Sequence, residues 1–91
     1  MTKDERSADD DPTLEAVGGW STLIGKASDG IDLTEGESYA AMAEILDGGA
    51  TAAQLAGFVI ALRTKGESVI EMTGMVRAMR SAAEPLSLIH I

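Results

Sequence analysis

The chain has 91 residues, a formal net charge of −8 and no cysteine. This length allows one small domain, the lack of cysteine excludes disulfides and thiolate chemistry, and the negative charge disfavours nucleic acid and anionic membranes as partners. The longest apolar run, residues 55–62, is shorter than the roughly 20 residues that span a bilayer, and the acidic N-terminus does not fit a signal peptide, so we expect a soluble cytoplasmic protein.

The chain begins with an acidic segment. Residues 1–11, MTKDERSADDD, contain no large apolar residue apart from the initiator methionine. This composition predicts a disordered tail. Asp11 and Pro12 then offer a helix cap and a first-turn proline, and the folded domain is predicted to span residues 12–85.

Three capping boxes divide the rest of the chain: Thr34 with Glu37, Thr51 with Gln54, and Ser68 with Glu71. In such a box the hydroxyl accepts from a first-turn amide while the Glu or Gln accepts from the amide of the cap residue. Glycines at positions 30, 48–49 and 66 are expected to end helices, because glycine readily adopts the left-handed conformation. These signals predict helices over residues 13–28, 35–47, 52–65 and 69–84. No segment shows the alternation of a strand, so the predicted fold is an all-α four-helix bundle.

The predicted helices differ in their apolar patterns. The first, second and fourth each carry one apolar stripe, which predicts burial of one face. In the fourth helix this stripe consists of Met72, Met75, Val76 and Met79. Glycines at positions 57 and 74 lie inside helices, where each costs about 1 kcal/mol relative to alanine. We expect close approach of a neighbouring helix to offset that cost.

The third helix is apolar on two faces. One face is formed by Leu55, Phe58, Val59 and Leu62. The other face is uncharged and is formed by Ala53, Gly57, Ile60 and Thr64. A bundle this small covers one side of a helix, so we predict that the second face, called here the partner face, binds a second copy of the chain or a further domain. The alternative, a central helix wrapped by the other three, remains open.

The charged residues form an acidic and a basic cluster. The acidic cluster, around residues 29–47, lacks the ligand spacing of a calcium loop and is interpreted as an acid-rich first helical turn that suits the helix dipole. The basic cluster comprises Arg63, Lys65, Arg77 and Arg80. It is interpreted as solvated helix ends, with a phosphate-binding or protein-binding patch as the alternative. His90, the only histidine, has no companion at ligand spacing, so no catalytic, cofactor-binding or metal-binding residue is predicted.

The connecting turns carry a family resemblance. Four motifs span them: GIDLTEGE at residues 30–37, GGATAAQ at 48–54, ALRTKGE at 61–67 and AMR at 78–80. Together they resemble the N-terminal helical domain of anthranilate phosphoribosyltransferases, of the glycosyltransferase family 3 type. The pyrimidine-nucleoside phosphorylases share this domain and form a second possibility. A stand-alone helical dimerisation or adaptor module is a third.

The resemblance implies a parent enzyme with properties that this segment does not carry. The family is magnesium-dependent and homodimeric, and it transfers phosphoribose from phosphoribosyl pyrophosphate to anthranilate in tryptophan biosynthesis. Its helical domain packs against an α/β domain, which holds the substrate and magnesium motifs, and forms the dimer. We therefore expect the 91-residue chain to be an inactive fragment without a cofactor of its own. Residues 86–91, LSLIHI, are predicted to be a non-native tail from truncation, with the start of the family's first strand as the alternative.

Overall fold

The computed structural model describes residues 11–90, with side chains described for residues 11–83. It contains four helices: α1 (Gly19–Ser28), α2 (Glu35–Leu46), α3 (Ala52–Lys65) and α4 (Val69–His90). Residues 11–90 contain no strand, so the predicted all-α fold is confirmed. Residues 1–10 and Ile91 lie outside the described residues, as do the side chains of residues 84–90. The interpretations of an acidic tail, of a non-native C-terminus and of His90 therefore stay predictions.

All three predicted capping boxes are present. The Thr34 hydroxyl accepts from the Glu37 amide at 3.1 Å, and the Thr51 hydroxyl accepts from the Gln54 amide at 3.1 Å. In the third box the Ser68 amide donates to Glu71 at 2.8 Å. These reciprocal bonds satisfy amides that would otherwise lack an intrahelical partner, so local sequence is sufficient to place the starts of α2, α3 and α4.

The predicted bounds of the first and last helices are wrong. Residues 14–18 form turns, and α1 begins only at Gly19. The φ angles of Gly18 and Gly19, 104° and 79°, lie far from the right-handed helical value, so the helix does not extend to the residues before them. At the other end, α4 continues through Pro85 to His90. The earlier end was expected because a proline inside a helix removes one intrahelical bond and disfavours the preceding turn.

The four helices pack as two pairs, α1 against α3 and α2 against α4. The rings of Trp20 on α1 and Phe58 on α3 meet edge to face, with centroids 5.3 Å apart. Around them lie the other buried residues of the core: Leu23, Ala27, Leu33, Ala41, Ala61 and Leu62. The apolar side chains of the first three helices thus supply most of this core, and α4 contributes little to it.

The second pair is held together by close backbone contact. A Cβ atom added to Gly74 on α4 would collide with the backbone oxygen of Glu35 and would lie 3.0 Å from both the Ser38 Cβ and the Tyr39 nitrogen. The predicted close approach at Gly74 is therefore confirmed. At Gly57 on α3 the contact is looser, because an added Cβ would lie 3.5 Å from the Ile24 Cδ1 atom.

The segment before α1 crosses α2. Asp11, assigned by sequence to the disordered tail and to a helix cap, is instead buried and pairs with Arg77 on α4 at 2.9 Å. Pro12 approaches α2 at Gly36, where an added Cβ would lie 3.2 Å from the Pro12 ring. Within residues 11–90, no helix is long and apolar enough to cross a membrane.

Candidate interaction surfaces

The predicted partner face of α3 is largely open. Ala53, Ile60 and Thr64 are exposed, and Gly57 is half-buried beside Ile24 of α1. The Ile60 side chain, with 63% of its surface exposed, is the largest apolar group on this face. The described part of the chain therefore covers the partner face only at Gly57, and the prediction that a partner covers the rest stays a prediction.

The opposite face of α3 is only partly buried. Phe58 and Leu62 belong to the core, whereas Leu55 and Val59 are 38% and 45% exposed. Sequence reasoning assigned all four to one buried face. The inner two residues pack in the core with α1, and the outer two lie at the edge of an opening.

The predicted burial of the α4 stripe is wrong. Met72, Val76 and Met79 are 45% to 52% exposed, and only Met75 packs against the core. The buried face of α4 instead contains the three residues Glu71, Gly74 and Ala78. A carboxylate and two small residues face inwards because this helix lies almost in backbone contact with α2, where a methionine would not fit.

Helices α2 and α3 border an apolar groove, to which α4 contributes one residue. Its volume is about 160 Å³, and its lining is mainly apolar: Met42 and Ile45 of α2, Leu55, Phe58, Val59 and Leu62 of α3, Met75 of α4, and Glu67 of the connecting turn. Two more polar pockets are lined by Thr13 and Leu14 of the N-terminal segment together with residues of α2. The groove is therefore an apolar concavity built from three helices, and sequence reasoning, which treated each helix separately, missed it.

A buried ion pair closes the turn between α3 and α4. The Glu71 side chain is fully buried, and it accepts from Lys65 Nζ at 2.9 Å, from the Ser68 amide at 2.8 Å and from the Leu33 amide at 2.6 Å. Lys65, whose side chain is 4% exposed, also pairs with Asp32 at 2.8 Å. One carboxylate therefore joins the end of α3, the start of α4 and the loop before α2.

The protonation of this pair follows from its hydrogen bonds. Burial raises the pKa of Glu71, but the bonds donated by Lys65 and by the Ser68 and Leu33 amides outweigh it and hold the pKa below its ordinary value. Burial lowers the pKa of Lys65, while its bonds to Asp32 and Glu71 raise it to above its ordinary value. Both shifts favour the charged forms, so the pair is ionised at neutral pH.

A second ion-pair group holds the N-terminal segment to the α2·α4 pair. The Arg77 guanidinium lies 2.9 Å from Asp11 and 2.6 Å from Glu35. It also stacks over the Tyr39 ring at 4.7 Å from the centroid, at the distance of a cation–π contact. Arg77 thus links three segments that are far apart in the chain.

The interpretation of the basic cluster as solvated helix ends is wrong for two of its members. Lys65 and Arg77 pair with acids of the acidic cluster, as does Lys26 with Glu37 at 2.8 Å. Arg63 and Arg80 are exposed and form no ion pair within residues 11–83. The spacing of Lys65 and Glu71 around the Gly66 turn was the available signal for the buried pair, but it could not show that Leu33 and Asp32 join it.

The comparisons with known proteins agree on one family. The family model described as "Glycosyl transferase family, helical bundle domain" matches residues 21–83. The chain is 52% identical over 63 residues to "Anthranilate phosphoribosyltransferase" of Geobacter sulfurreducens, a match that covers 69% of this chain and 18% of that protein. Proteins of the same name from Nocardioides sp. and Streptomyces griseus are 48% identical over 69 residues and 45% identical over 73 residues.

These relatives are much longer than the chain. The Nocardioides match covers 76% of this chain and 20% of the relative, and the Streptomyces match covers 80% and 21%. The chain thus spans about a fifth of the length of the curated relatives it matches. No solved structure gave a significant match.

Proposed function

Because this chain belongs to the glycosyl transferase family through its helical bundle domain, we propose that it is the helical domain of a longer anthranilate phosphoribosyltransferase. The observation that carries this proposal is the high identity to proteins of that name over the helical domain. The family match extends from within α1 into α4 and includes all three connecting turns. These relatives favour this activity over that of a pyrimidine-nucleoside phosphorylase.

The proposed parent enzyme acts in the cytoplasm, in tryptophan biosynthesis. It transfers phosphoribose from phosphoribosyl pyrophosphate to anthranilate: the amine attacks the anomeric carbon, and pyrophosphate leaves. The family's use of magnesium is part of this proposal. Within the described residues no three His, Cys, Asp or Glu side chains are grouped to hold a metal ion, and the proposal assigns no catalytic step to these helices.

The proposed role of the helical domain is assembly. The partner face of α3, with Ala53, Gly57, Ile60 and Thr64, is proposed to contact a second copy of the chain. Its open apolar surface around Ile60 supports this role, because exposed apolar patches on small domains mark contact sites. A stand-alone adaptor shares this expectation, so the catalytic part of the proposal needs a separate test.

A chimeric enzyme provides that test. Residues 21–83 would replace the matching segment of the Geobacter sulfurreducens protein, and the chimera would be expressed in a tryptophan auxotroph. We expect rescue of growth, because interchangeable helical domains preserve the contacts that position the rest of the enzyme. The 91-residue chain expressed alone should not rescue. The control is a chimera that carries the matching segment of a pyrimidine-nucleoside phosphorylase instead. If our chimera fails to rescue growth as this control does, the proposal is contradicted.

The two faces of α3 can be separated by a pair of substitutions. Ile60→Glu should reduce self-association in sedimentation experiments and leave the helical circular dichroism signal unchanged, because this side chain is exposed. Leu62→Glu should unfold the domain, because Leu62 is buried and an unpaired charge in a core costs about 3–5 kcal/mol. Equal behaviour of the two variants in both measurements would show that the partner face does not bind a second copy.

A further inference from the structure

The segment before α1 packs on the helices as a separate piece of chain. Residues 11–18, called here the strap, contain no helix, and residues 14–18 form turns. Within the strap, Leu14 and Val17 are the side chains that pack, partly buried, against the core. The family match begins at residue 21. The strap therefore lies outside the part of the chain by which the family is recognised.

The strap is held at its start by a guanidinium fork. The Arg77 side chain donates to both carboxylate oxygens of Asp11, from Nη2 at 2.9 Å and from Nη1 at 3.3 Å. The fork is fixed on two other sides, because its Nε donates to Glu35 at 2.6 Å and its plane lies over the Tyr39 ring. An arginine that is already oriented loses little freedom when it binds a carboxylate. The fork is thus prepared for an acidic residue.

The next strap residue fills a notch on α2. The Pro12 ring lies over Gly36, where an added Cβ would be 3.2 Å from the proline Cγ and 3.4 Å from its Cδ. A side chain at position 36 would push the ring outwards, although glycine inside a helix costs about 1 kcal/mol relative to alanine. The fork and the notch together form a docking site for an acidic residue followed by proline.

Two left-handed glycines join the strap to α1. Gly18 and Gly19 have φ angles of 104° and 79°, which residues with a side chain rarely adopt. A Cβ atom at Gly18 would lie 2.6 Å from the Thr22 hydroxyl oxygen, whereas one at Gly19 would contact nothing within 4 Å. Glycine moves between left- and right-handed conformations at little cost. A change at these two residues is therefore sufficient to move the strap relative to α1.

The docked strap covers part of α2. Strap residues 11–14 line one pocket together with residues of α2: Tyr39, Ala40, Ala43, Glu44 and Asp47. Release of the strap would remove its wall of this pocket. The Tyr39 ring, now buried, and the adjoining face of α2 would then become accessible to solvent.

We propose that the strap opens as a unit about Gly18 and Gly19 while the four helices stay folded, and that it closes again through recognition of Asp11 and Pro12 by the docking site. Segments with few buried apolar contacts open at a lower free-energy cost than the whole domain. The strap thereby controls access to the Tyr39 face of α2. This inference goes beyond the proposed function and does not rest on it.

Cleavage by a glutamyl-specific endopeptidase measures the opening. Glu15 lies in the strap and Glu44 in α2, so cleavage after Glu15 reports opening of the strap and cleavage after Glu44 reports unfolding of the helices. When opening and closing are fast, the cleavage rate follows the population of the open form. The 91-residue chain would be digested without denaturant, and each rate would be divided by its value in urea. We expect cleavage after Glu15 to be at least about tenfold faster than after Glu44.

Two substitutions test the docking site. Asp11→Asn should speed cleavage after Glu15 about tenfold, because the fork then loses its charged acceptor, and a factor of ten corresponds to about 1.4 kcal/mol. Gly36→Ala should also speed cleavage after Glu15, because the methyl group displaces the Pro12 ring. It should leave cleavage after Glu44 unchanged or slow it, because alanine favours the helix.

Gly25→Ala is the matched control. Gly25 is an exposed position inside α1, and an added Cβ there would contact nothing within 4 Å. This change should leave cleavage after Glu15 as it is in the wild-type chain. Circular dichroism of each variant would show that the helices remain folded.

Three results would overturn the inference. Asp11→Asn and Gly36→Ala would both cleave after Glu15 at the wild-type rate if the docking site did not hold the strap. Equal rates after Glu15 and Glu44 would show that the strap opens only when the helices unfold. A rate after Glu15 that changes with protein concentration would show that straps exchange between copies. Each result leaves the proposed function intact, because the chimera tests that function separately.

Discussion

Gly74→Ala is expected to destabilise the domain by about 3 kcal/mol, because over-packing of a close contact typically costs 1–3 kcal/mol and rigid neighbours raise that cost. The added methyl group would meet the backbone of α2 at Glu35 and Tyr39, so α2 and α4 would have to separate. The gain of about 1 kcal/mol in helix propensity offsets only part of this loss. Urea unfolding followed by the fluorescence of Trp20, the single tryptophan and a buried one, measures the change.

Gly57→Ala is the matched control. Its added methyl group would lie 3.5 Å from the Ile24 Cδ1 atom, an ordinary van der Waals distance. We therefore expect no loss of stability, and a gain of up to about 1 kcal/mol from the better helix former. Equal destabilisation by the two alanines would show that helix propensity and strain at the α2·α4 contact are not the deciding effects.

Glu71→Gln is expected to destabilise the domain by about 3–5 kcal/mol, the usual cost of removing one partner from a buried ion pair. The carboxylate accepts bonds from Lys65, Ser68 and Leu33. The glutamine amide nitrogen would face one of these donors with a donor of its own, and buried Lys65 would keep only its contacts with Asp32 and the Gly66 carbonyl. Urea unfolding at neutral pH measures the loss.

The same substitution should change the response to acid. The pKa of Glu71 is lowered in the folded state, so its contribution to stability is present above the unfolded pKa of about 4.3 and is lost as the pH falls through the folded pKa. The wild-type chain should therefore lose stability below about pH 4, and Glu71→Gln should show a smaller loss over the same range. For Lys65, whose pKa is raised, the contribution is lost only as the pH rises beyond about 10.4.

Glu67→Gln provides the control for charge alone. Glu67 is exposed and lies four residues before Glu71, so its replacement changes the net charge by the same amount without breaking a buried pair. We expect a change within about 0.5 kcal/mol, as for ordinary surface substitutions. A Glu71→Gln domain as stable as the Glu67→Gln domain would show that the buried pair does not hold the turn.

Features that depend on neighbouring residues were predictable. The capping boxes at Thr34, Thr51 and Ser68 formed as expected, because each needs only a hydroxyl and a Glu or Gln three residues later. The left-handed glycines after α1, α2 and α3 also occur at the expected positions, with φ between 79° and 94° at Gly30, Gly48 and Gly66. The start of α1 was not predicted correctly. The apolar residues there have helical spacing, but two successive left-handed glycines interrupt the helix.

The orientation of α4 was not predictable from its own residues. Most of its apolar stripe is exposed, and its buried face contains Glu71, Gly74 and Ala78. The rule that an apolar stripe faces the core is a general tendency, and specific contacts can override it. Here a backbone contact at Gly74 and an ion pair at Glu71 select the buried face.

The local sequence thus determines where the helices begin and where the chain turns, and it carries the motifs that identify the family. Each of these features depends on residues that are close together in the chain. Which residues are charged is also read directly from the sequence. Two arrangements depend on long-range contacts. The pairing of acidic with basic residues, such as Lys65 with Asp32 and Arg77 with Asp11, joins positions 33 and 66 residues apart. The groove and the partner face exist only once α1 and α3 lie beside α2 and α4, since burial is a property of packed neighbours.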